Sequence, residues 1–327
     1  MNIFLTFLSK AFTMGMTILY GANGEILTEK SGNLNLGVPG MMYMGGIGGL
    51  IGAFFYERAA ETPIPLIGLL CSLVCALLFS GFGALIYSVL TISLRANQNV
   101  TGLALTTFGA GLSKVLFGTM DHTVYLQFSR TLFRQPFASR SDALQKLGIL
   151  FFLALVVCGV ASWVLLHTKV GLRLRSIGEN PGTADAVGVN VNRYKYIATL
   201  LGAGIAALGG FYSIIDFEAS QEAYKNLEEY GWLSVALVIF ALWRPHMAIV
   251  GSIIFGFLYR CASQLTQLGG VFSAMTAQSM LKMLPYVFTI AVLIFTSIRN
   301  KRENQPPASL GPVSYTHLRA HETLRYL

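Results

Sequence analysis

Long apolar segments alternate with short polar segments along most of the chain, and each is about the 20 residues that a helix needs to cross a bilayer. They lie at residues 3–27, 38–56, 64–90, 101–119, 147–168, 194–217, 230–245, 247–263 and 280–298. The segment 64–90 is long enough to be tilted or bent. Segments 230–245 and 247–263 are separated at Arg244-Pro245-His246, because proline interrupts a helix and arginine favours water. The pattern predicts an all-α, polytopic integral membrane protein with about nine transmembrane helices.

Composition supports this prediction and excludes several functions. Of 327 residues, 54% are hydrophobic and only 12% are charged, whereas soluble domains carry roughly a quarter charged residues. The formal net charge of +8 comes mostly from loops, where it sets membrane topology rather than nucleic-acid binding. The sequence has no P-loop, H-E-x-x-H or G-x-S-x-G motif, which argues against an ATPase or a membrane enzyme. We expect no cofactor or metal site in this chain.

The distribution of charge predicts the orientation of the spans. The loop 169–196 and the cluster 299–302 are basic, which places both on the cytoplasmic side. Four predicted spans separate them, and an even number returns the chain to the same side. Counting outward from these loops places Arg95 inside and the N-terminus, the loop 120–146 and the acidic loop 216–229 outside.

The cytoplasmic segment 171–193 contains signals for a short helix. Asn180 is a favourable N-cap, Pro181 suits the first helical position, and Gly188 suits the C-terminal cap. Such a helix either receives force from a soluble motor or is an ordinary connector, and the residue pattern alone leaves both interpretations open.

A second polar segment, 29–42, separates the first two spans. Asn33 and Asn35 alternate with leucines, and Gly37, Pro39 and Gly40 disfavour a continuous helix. Non-helical backbone at membrane depth is tolerated only beside protein or a water-filled cavity, and broken helices often build substrate sites. The segment is therefore predicted to be a broken helix near the substrate path, with a surface loop as the alternative.

A third polar segment precedes the fourth span. It contains Asn97, Gln98, Asn99 and Thr101, of which Asn99 or Thr101 is predicted to cap the helix. Capping explains one of these side chains and leaves the others available to a solute. Glu25 is interpreted as an interfacial residue, so the sequence offers no chain of buried acids for an ion-coupled carrier.

Four segments together resemble the permease family of ABC importers that includes the ribose and branched-chain amino acid permeases. The similarity is greatest to the branch that serves nucleoside uptake with lipoprotein binding proteins. The segments are Glu29-Lys-Ser-Gly-Asn-Leu-Asn-Leu-Gly37 with Gly40-Met-Met42, Leu94-Arg-Ala-Asn-Gln-Asn-Val-Thr-Gly-Leu-Ala-Leu105, Gly171-Leu-Arg-Leu-Arg-Ser-Ile-Gly-Glu-Asn-Pro181 with Ala184-Asp-Ala-Val-Gly188, and Gly231 to Pro245 followed by Gly251 and Phe255-Gly256. Their order and spacing match the family over roughly residues 15–298. The most specific motif is Ile177-Gly-Glu-Asn-Pro181.

The resemblance implies roles for two sets of residues. Those implied to couple the chain to an ATPase are Gly178, Glu179, Asn180, Pro181 and Ala184. Those implied to line the substrate path are Asn33, Asn35, Gly37, Asn97 and Asn99. Pro39 departs from the nucleoside branch, which commonly carries an acidic residue there, so the resemblance leaves the substrate open between a nucleoside and a simple sugar.

The resemblance also implies an assembly. An ATP-binding cassette ATPase would hydrolyse ATP with Mg²⁺, so this chain would not itself be an enzyme. A second permease subunit, copy or homologue, and an extracytoplasmic solute-binding lipoprotein would complete the importer in the cytoplasmic membrane of a prokaryote. Residues 1–300 would form the permease domain with its coupling loop at 169–193, and 301–327 a tail, of which 313–327 resembles a translated sequencing adapter. The alternative is an ion-coupled secondary transporter of a small polar solute.

Overall fold

The computed structural model describes residues 3–62, 64–118, 148–218, 223–267, 275–299 and 305–311. Within these ranges the regular structure is entirely helical. The α-helices are α1 (Ile3–Glu29), α2 (Val38–Ala59), α3 (Pro65–Ser88), α4 (Gln98–Gly118), α5 (Ile149–His167), α6 (Lys169–Glu179), α7 (Pro181–Ala186), α8 (Val191–Tyr212), α9 (Leu227–Phe240), α10 (Pro245–Gln267), α11 (Met275–Lys282) and α12 (Leu284–Arg299).

Five of these helices are long and apolar enough to cross a membrane. They comprise α2, α4, α5, and the helices α3 and α8 with their π-helical extensions Val89–Ser93 and Ser213–Phe217. Shorter apolar helices lie at Pro245–Cys261 and Ser279–Phe295. The all-α, polytopic membrane architecture is thus confirmed, whereas the number of nine spans stays a prediction.

Helices α1, α2 and α8 form the centre of the fold, and small residues allow their backbones to approach closely. Gly24 of α1 lies against Gly202 of α8, and a methyl group on either would collide with the other helix. Gly45 of α2 likewise lies against Ala207, and Gly210 lies against the backbone of Met42. Small residues at such contacts favour helix association through close van der Waals packing, because in lipid there is no hydrophobic driving force between helices.

The predicted separation at Pro245 is confirmed. Helix α9 ends at Phe240 and α10 begins at Pro245, where a missing backbone N–H costs nothing. In the connecting turn, Leu242 and Trp243 have φ values of 54° and 55°. The turn reverses the chain, so that α9 runs parallel to α1 and α10 runs antiparallel to it.

Two features around the segment 169–193 go beyond the predicted organisation. The basic segment 169–179 is the regular helix α6, where the sequence predicted only the short helix that follows. Residues 305–311 also return to pack beneath α6. The predicted outer loop 120–146 and the suspected adapter 313–327 lie outside the described residues.

Candidate functional site

Helix α6 is amphipathic and held at its start by a side-chain cap. Thr168 accepts a hydrogen bond from the backbone N–H of Gly171 at 3.1 Å through its Oγ1 atom. Leu174 and Ile177 are buried on one face, while Arg173 is exposed on the other. The apolar face of α6 thus packs against the body of the protein, mainly against α5.

Helix α7 follows after a single residue and has the predicted caps. The Oδ1 atom of Asn180 accepts a hydrogen bond from the backbone N–H of Thr183 at 3.0 Å, and Pro181 occupies the first helical position. Gly188 adopts φ 82°, which ends the helix at low steric cost. Ala184 is only 3% exposed and fixes the short helix to the body of the protein.

The outer face of α7 is available to another molecule. Glu179, Asn180 and Asp185 are exposed, and so is Val187, whose side chain is 75% exposed. An isolated exposed valine is unremarkable by itself. Here it lies beside exposed polar residues on a capped helix that is anchored by the buried Ala184, an arrangement suited to docking a protein.

The predicted broken-helix segment is a buried crossing loop, residues 30–37, between α1 and α2. The Nδ2 atom of Asn33 donates to Thr199 Oγ1 at 3.2 Å and to Thr91 Oγ1 at 3.5 Å. Asn35 Oδ1 accepts from the backbone N–H of Gly37 at 3.1 Å. The surface-loop alternative is wrong, because both side chains are buried and Asn33 ties the loop to α8 and to the π-helical extension of α3.

Neighbouring helices supply the hydrogen bonds that the loop's irregular backbone cannot make by itself. Gln98 Oε1 accepts from the N–H of Leu34 at 2.9 Å, and the Tyr87 hydroxyl donates to the Leu34 carbonyl. Thr106 Oγ1 donates to the carbonyl of Leu36 at 3.1 Å. A buried backbone requires such partners, so these three side chains have a structural reason to be polar.

The predicted capping of α4 by Asn99 or Thr101 is wrong. The helix begins at Gln98, and Asn97 Oδ1 accepts from the N–H groups of Asn99 at 3.0 Å and Val100 at 3.2 Å. Thr101 instead donates to the Asn97 carbonyl at 2.8 Å. Asn97 is exposed and Asn99 half-buried, so neither joins the buried cluster around Asn33, and their contact with solute stays a prediction.

Two acidic side chains on one face of α1 are buried, which the sequence did not lead us to expect. Glu25 is 1% exposed and Glu29 is 2% exposed, so both carboxyl groups lie inside the protein, and the placement of Glu25 at the membrane interface stays a prediction. The Nε1–H of Trp243, also buried, donates to Glu29 Oε2 at 2.6 Å. Within the described part of the chain, Glu25 Oε2 has no hydrogen-bond partner. The absence of buried acids is therefore no longer an argument against an ion-coupled carrier.

A cavity of about 390 Å³ lies between the start of the crossing loop, the end of α6 and the turn between α9 and α10. Its lining includes Lys30, Arg175, Glu179 and Arg244. Burial lowers the pKa of the Lys30 ammonium, and the Arg175 and Arg244 cations lower it further, whereas Glu179 opposes the shift. The cavity shows that the end of α6 and the start of the crossing loop share one electrostatic environment.

Comparison with known proteins decides between the remaining mechanisms. A family model described as branched-chain amino acid transport system / permease component matches residues 7–296. The chain belongs to this permease family. It is 32% identical over 309 residues to a Haloferax volcanii protein named "Putative glucose ABC transporter permease protein", covering 87% of this chain and 89% of that one.

Two further relatives are nucleoside permeases by name. The nucleoside ABC transporter permease protein of Lactococcus lactis is 28% identical, and the guanosine ABC transporter permease protein of Bacillus subtilis is 27% identical. Each alignment covers 84% of this chain and 87% of the relative. The protein is thus a multi-pass permease subunit of an ABC importer for small polar solutes, and the ion-coupled alternative loses its support.

Proposed function

We propose that this permease works with an ATP-binding cassette ATPase, a second permease subunit and an extracytoplasmic solute-binding lipoprotein. The assembly imports a nucleoside or a simple sugar through the cytoplasmic membrane of a prokaryote. Hydrolysis of ATP with Mg²⁺ takes place in the partner, and this chain contributes the path and the docking helix. The observation that carries the proposal is α7, a capped helix that projects its polar outer face from a buried anchor at Ala184.

The geometry supports a mechanical role for α7. Closure of the ATPase dimer on ATP displaces α7, and the single-residue link at Asn180 passes the displacement to α6. Because Leu174 and Ile177 of α6 are buried, the body of the permease follows. ATP thereby shifts the population between inward-open and outward-open states through its differential binding to them.

The chemistry of the crossing loop supports a neutral polar solute. The buried Oδ1 atom of Asn33 has no hydrogen-bond partner among the described residues, and such a neutral acceptor suits a hydroxyl or amine donor of an uncharged solute. The names of the relatives supply the two candidate classes, nucleosides and glucose.

Affinity purification of the chain from its native membranes in mild detergent, followed by mass spectrometry, tests the assembly. We expect a stoichiometric partner that carries Walker motifs. Reproducible recovery of the folded chain alone would overturn the proposed assembly and favour an ion-coupled carrier.

Uptake of radiolabelled uridine, guanosine and glucose by cells that express the complete operon tests the substrate class. We expect ATP-dependent uptake of at least one of them, and loss of that uptake in a Glu179→Ala/Asn180→Ala double variant that still inserts in the membrane. Normal uptake by the double variant would contradict the coupling assignment.

A further inference from the structure

The described part of the C-terminal tail, Gln305–Gly311, binds to the last turn of α6. The backbone N–H of Ser309 donates to the carbonyl of Gly178 at 2.9 Å, and its Oγ donates to the same oxygen at 2.6 Å. The Oγ atom also lies 3.4 Å from the carbonyl of Ile177. The last four carbonyls of a helix have no partner within the helix, and Ser309, only 2% exposed, satisfies two of them.

The same point is in contact with the crossing loop. Gly32 adopts φ 78°, and a Cβ atom there would collide with the Ser309 hydroxyl. A Cβ atom on Gly178 would collide with the carbonyl of Lys30 and approach Pro307. The tail, the end of α6 and the crossing loop therefore meet at van der Waals distance, with two glycines where no side chain fits.

Beyond this junction, the contacts continue into the membrane helices. The residue after Gly32 is Asn33, whose amide donates to Thr199 of α8 and Thr91 of α3. An unbroken series of packed and hydrogen-bonded groups thus runs from α7 through α6 and the Ser309 junction to α8 and to the π-helical extension of α3.

We propose that Ser309 is a positioning residue of the coupling machinery. It fixes the end of α6 to the crossing loop, so that a displacement of α7 also moves α3 and α8. Without this contact, α6 could shift relative to the crossing loop and the two helices would stay in place. The proposal rests on the proposed function, since it assigns to the tail a part in the same coupling.

The test compares transport with hydrolysis in the complete importer reconstituted in proteoliposomes. The solute is whichever of labelled uridine, guanosine and glucose the wild-type importer accumulates. In Ser309→Ala we expect ATP hydrolysis to stay within about twofold of wild type and uptake per ATP to fall about fivefold. A change of this size corresponds to the loss of one neutral hydrogen bond between the tail and α6. A serine that only stabilises the fold would lower both rates together.

Ser176→Ala is the matched control. Ser176 lies on the same helix, but its Oγ donates to the carbonyl of Arg173 at 2.7 Å on the exposed face, away from the junction. We expect this variant to keep the wild-type ratio of uptake to hydrolysis. Ser309→Thr, which retains a hydroxyl, should recover most of the ratio.

If Ser309→Ala does not assemble, the milder Pro307→Ala, which keeps the serine and loosens its neighbour, should show the same uncoupling to a smaller degree. An unchanged ratio in the assembled variants, or an equal fall of hydrolysis and uptake, would overturn the role of Ser309 and leave the importer assignment intact. Absence of ATP-driven uptake in the wild type would instead refute the proposed function.

Discussion

Asn180 offers the most direct test of the coupling helix, because its contribution can be estimated from one contact. Helix α7 contains six residues, far fewer than an isolated helix needs to be stable in water. It depends on its anchor Ala184 and on its caps. Replacing Asn180 by alanine removes the acceptor that lies 3.0 Å from the N–H of Thr183. Loss of such a cap costs about 1 kcal/mol, which changes the population of the ordered helix about fivefold.

Two measurements test this estimate, one of the stability of α7 and one of transport. Hydrogen exchange at the Thr183 amide should become about fivefold faster in Asn180→Ala, because loss of about 1 kcal/mol raises the population of the opened helix by that factor. ATP-driven uptake in proteoliposomes should fall by about two- to fivefold, since a disordered α7 transmits less displacement. Asn180→Ser and Asn180→Asp keep a capping oxygen and should remain close to wild type in both measurements.

The matched control is Asn190→Ala. Asn190 caps α8 by accepting a hydrogen bond from the N–H of Arg193 at 2.9 Å, the same chemistry at the start of a 22-residue helix. A helix of that length tolerates fraying of its first turn, so we expect uptake to change little. If Asn180→Ser were as defective as Asn180→Ala, the amide itself would contact the ATPase and the capping argument would be wrong.

Three further variants test the core of the permease by thermal denaturation in detergent. Trp243→Phe removes the donor to Glu29 and should lower the free energy of unfolding by about 1–3 kcal/mol; an unchanged melting temperature would mean that the carboxyl finds another donor. Gly210→Ala forces α8 away from the α2 backbone and should cost about 1–3 kcal/mol, whereas Gly204→Ala, whose Cβ would make only an ordinary van der Waals contact with Leu77, should be tolerated; equal effects would refute the packing argument. Gln98→Leu strands a buried N–H of the crossing loop and should cost about 1–3 kcal/mol, and a neutral result would show that water replaces the amide.

The features predicted correctly from the sequence are those with local signals. The caps of α7 and the break before Pro245 depend on residues within a few positions of each other, and both are present. Helix α6 was missed, although Thr168 and the buried positions Leu174 and Ile177 form a capped, amphipathic pattern. Its exposed Arg173 and half-buried Arg175 interrupt the apolar positions, a charge pattern that is equally typical of a cytoplasmic loop.

The features that could not be predicted depend on partners distant in sequence. Glu29 accepts its hydrogen bond from Trp243, 214 residues away, and Ser309 meets Gly178 across 131 residues. Nothing local to either residue indicates these contacts. Composition rules place an acid near the membrane surface, and only the tertiary fold provides the donor that makes burial of Glu29 tolerable.

The hydrogen bonding of the crossing loop narrows the question of substrate contact. A buried, non-helical backbone needs side-chain partners, and this need accounts for Tyr87, Gln98 and Thr106 without invoking a solute. Asn35 caps its own turn. The Asn33 amide differs, because its Nδ2 atom is bonded while its buried Oδ1 atom has no hydrogen-bond partner in the ranges that the structure describes. An orphaned acceptor costs about 1–3 kcal/mol, so among the predicted path-lining amides Asn33 gains most from a hydroxyl or amine donor.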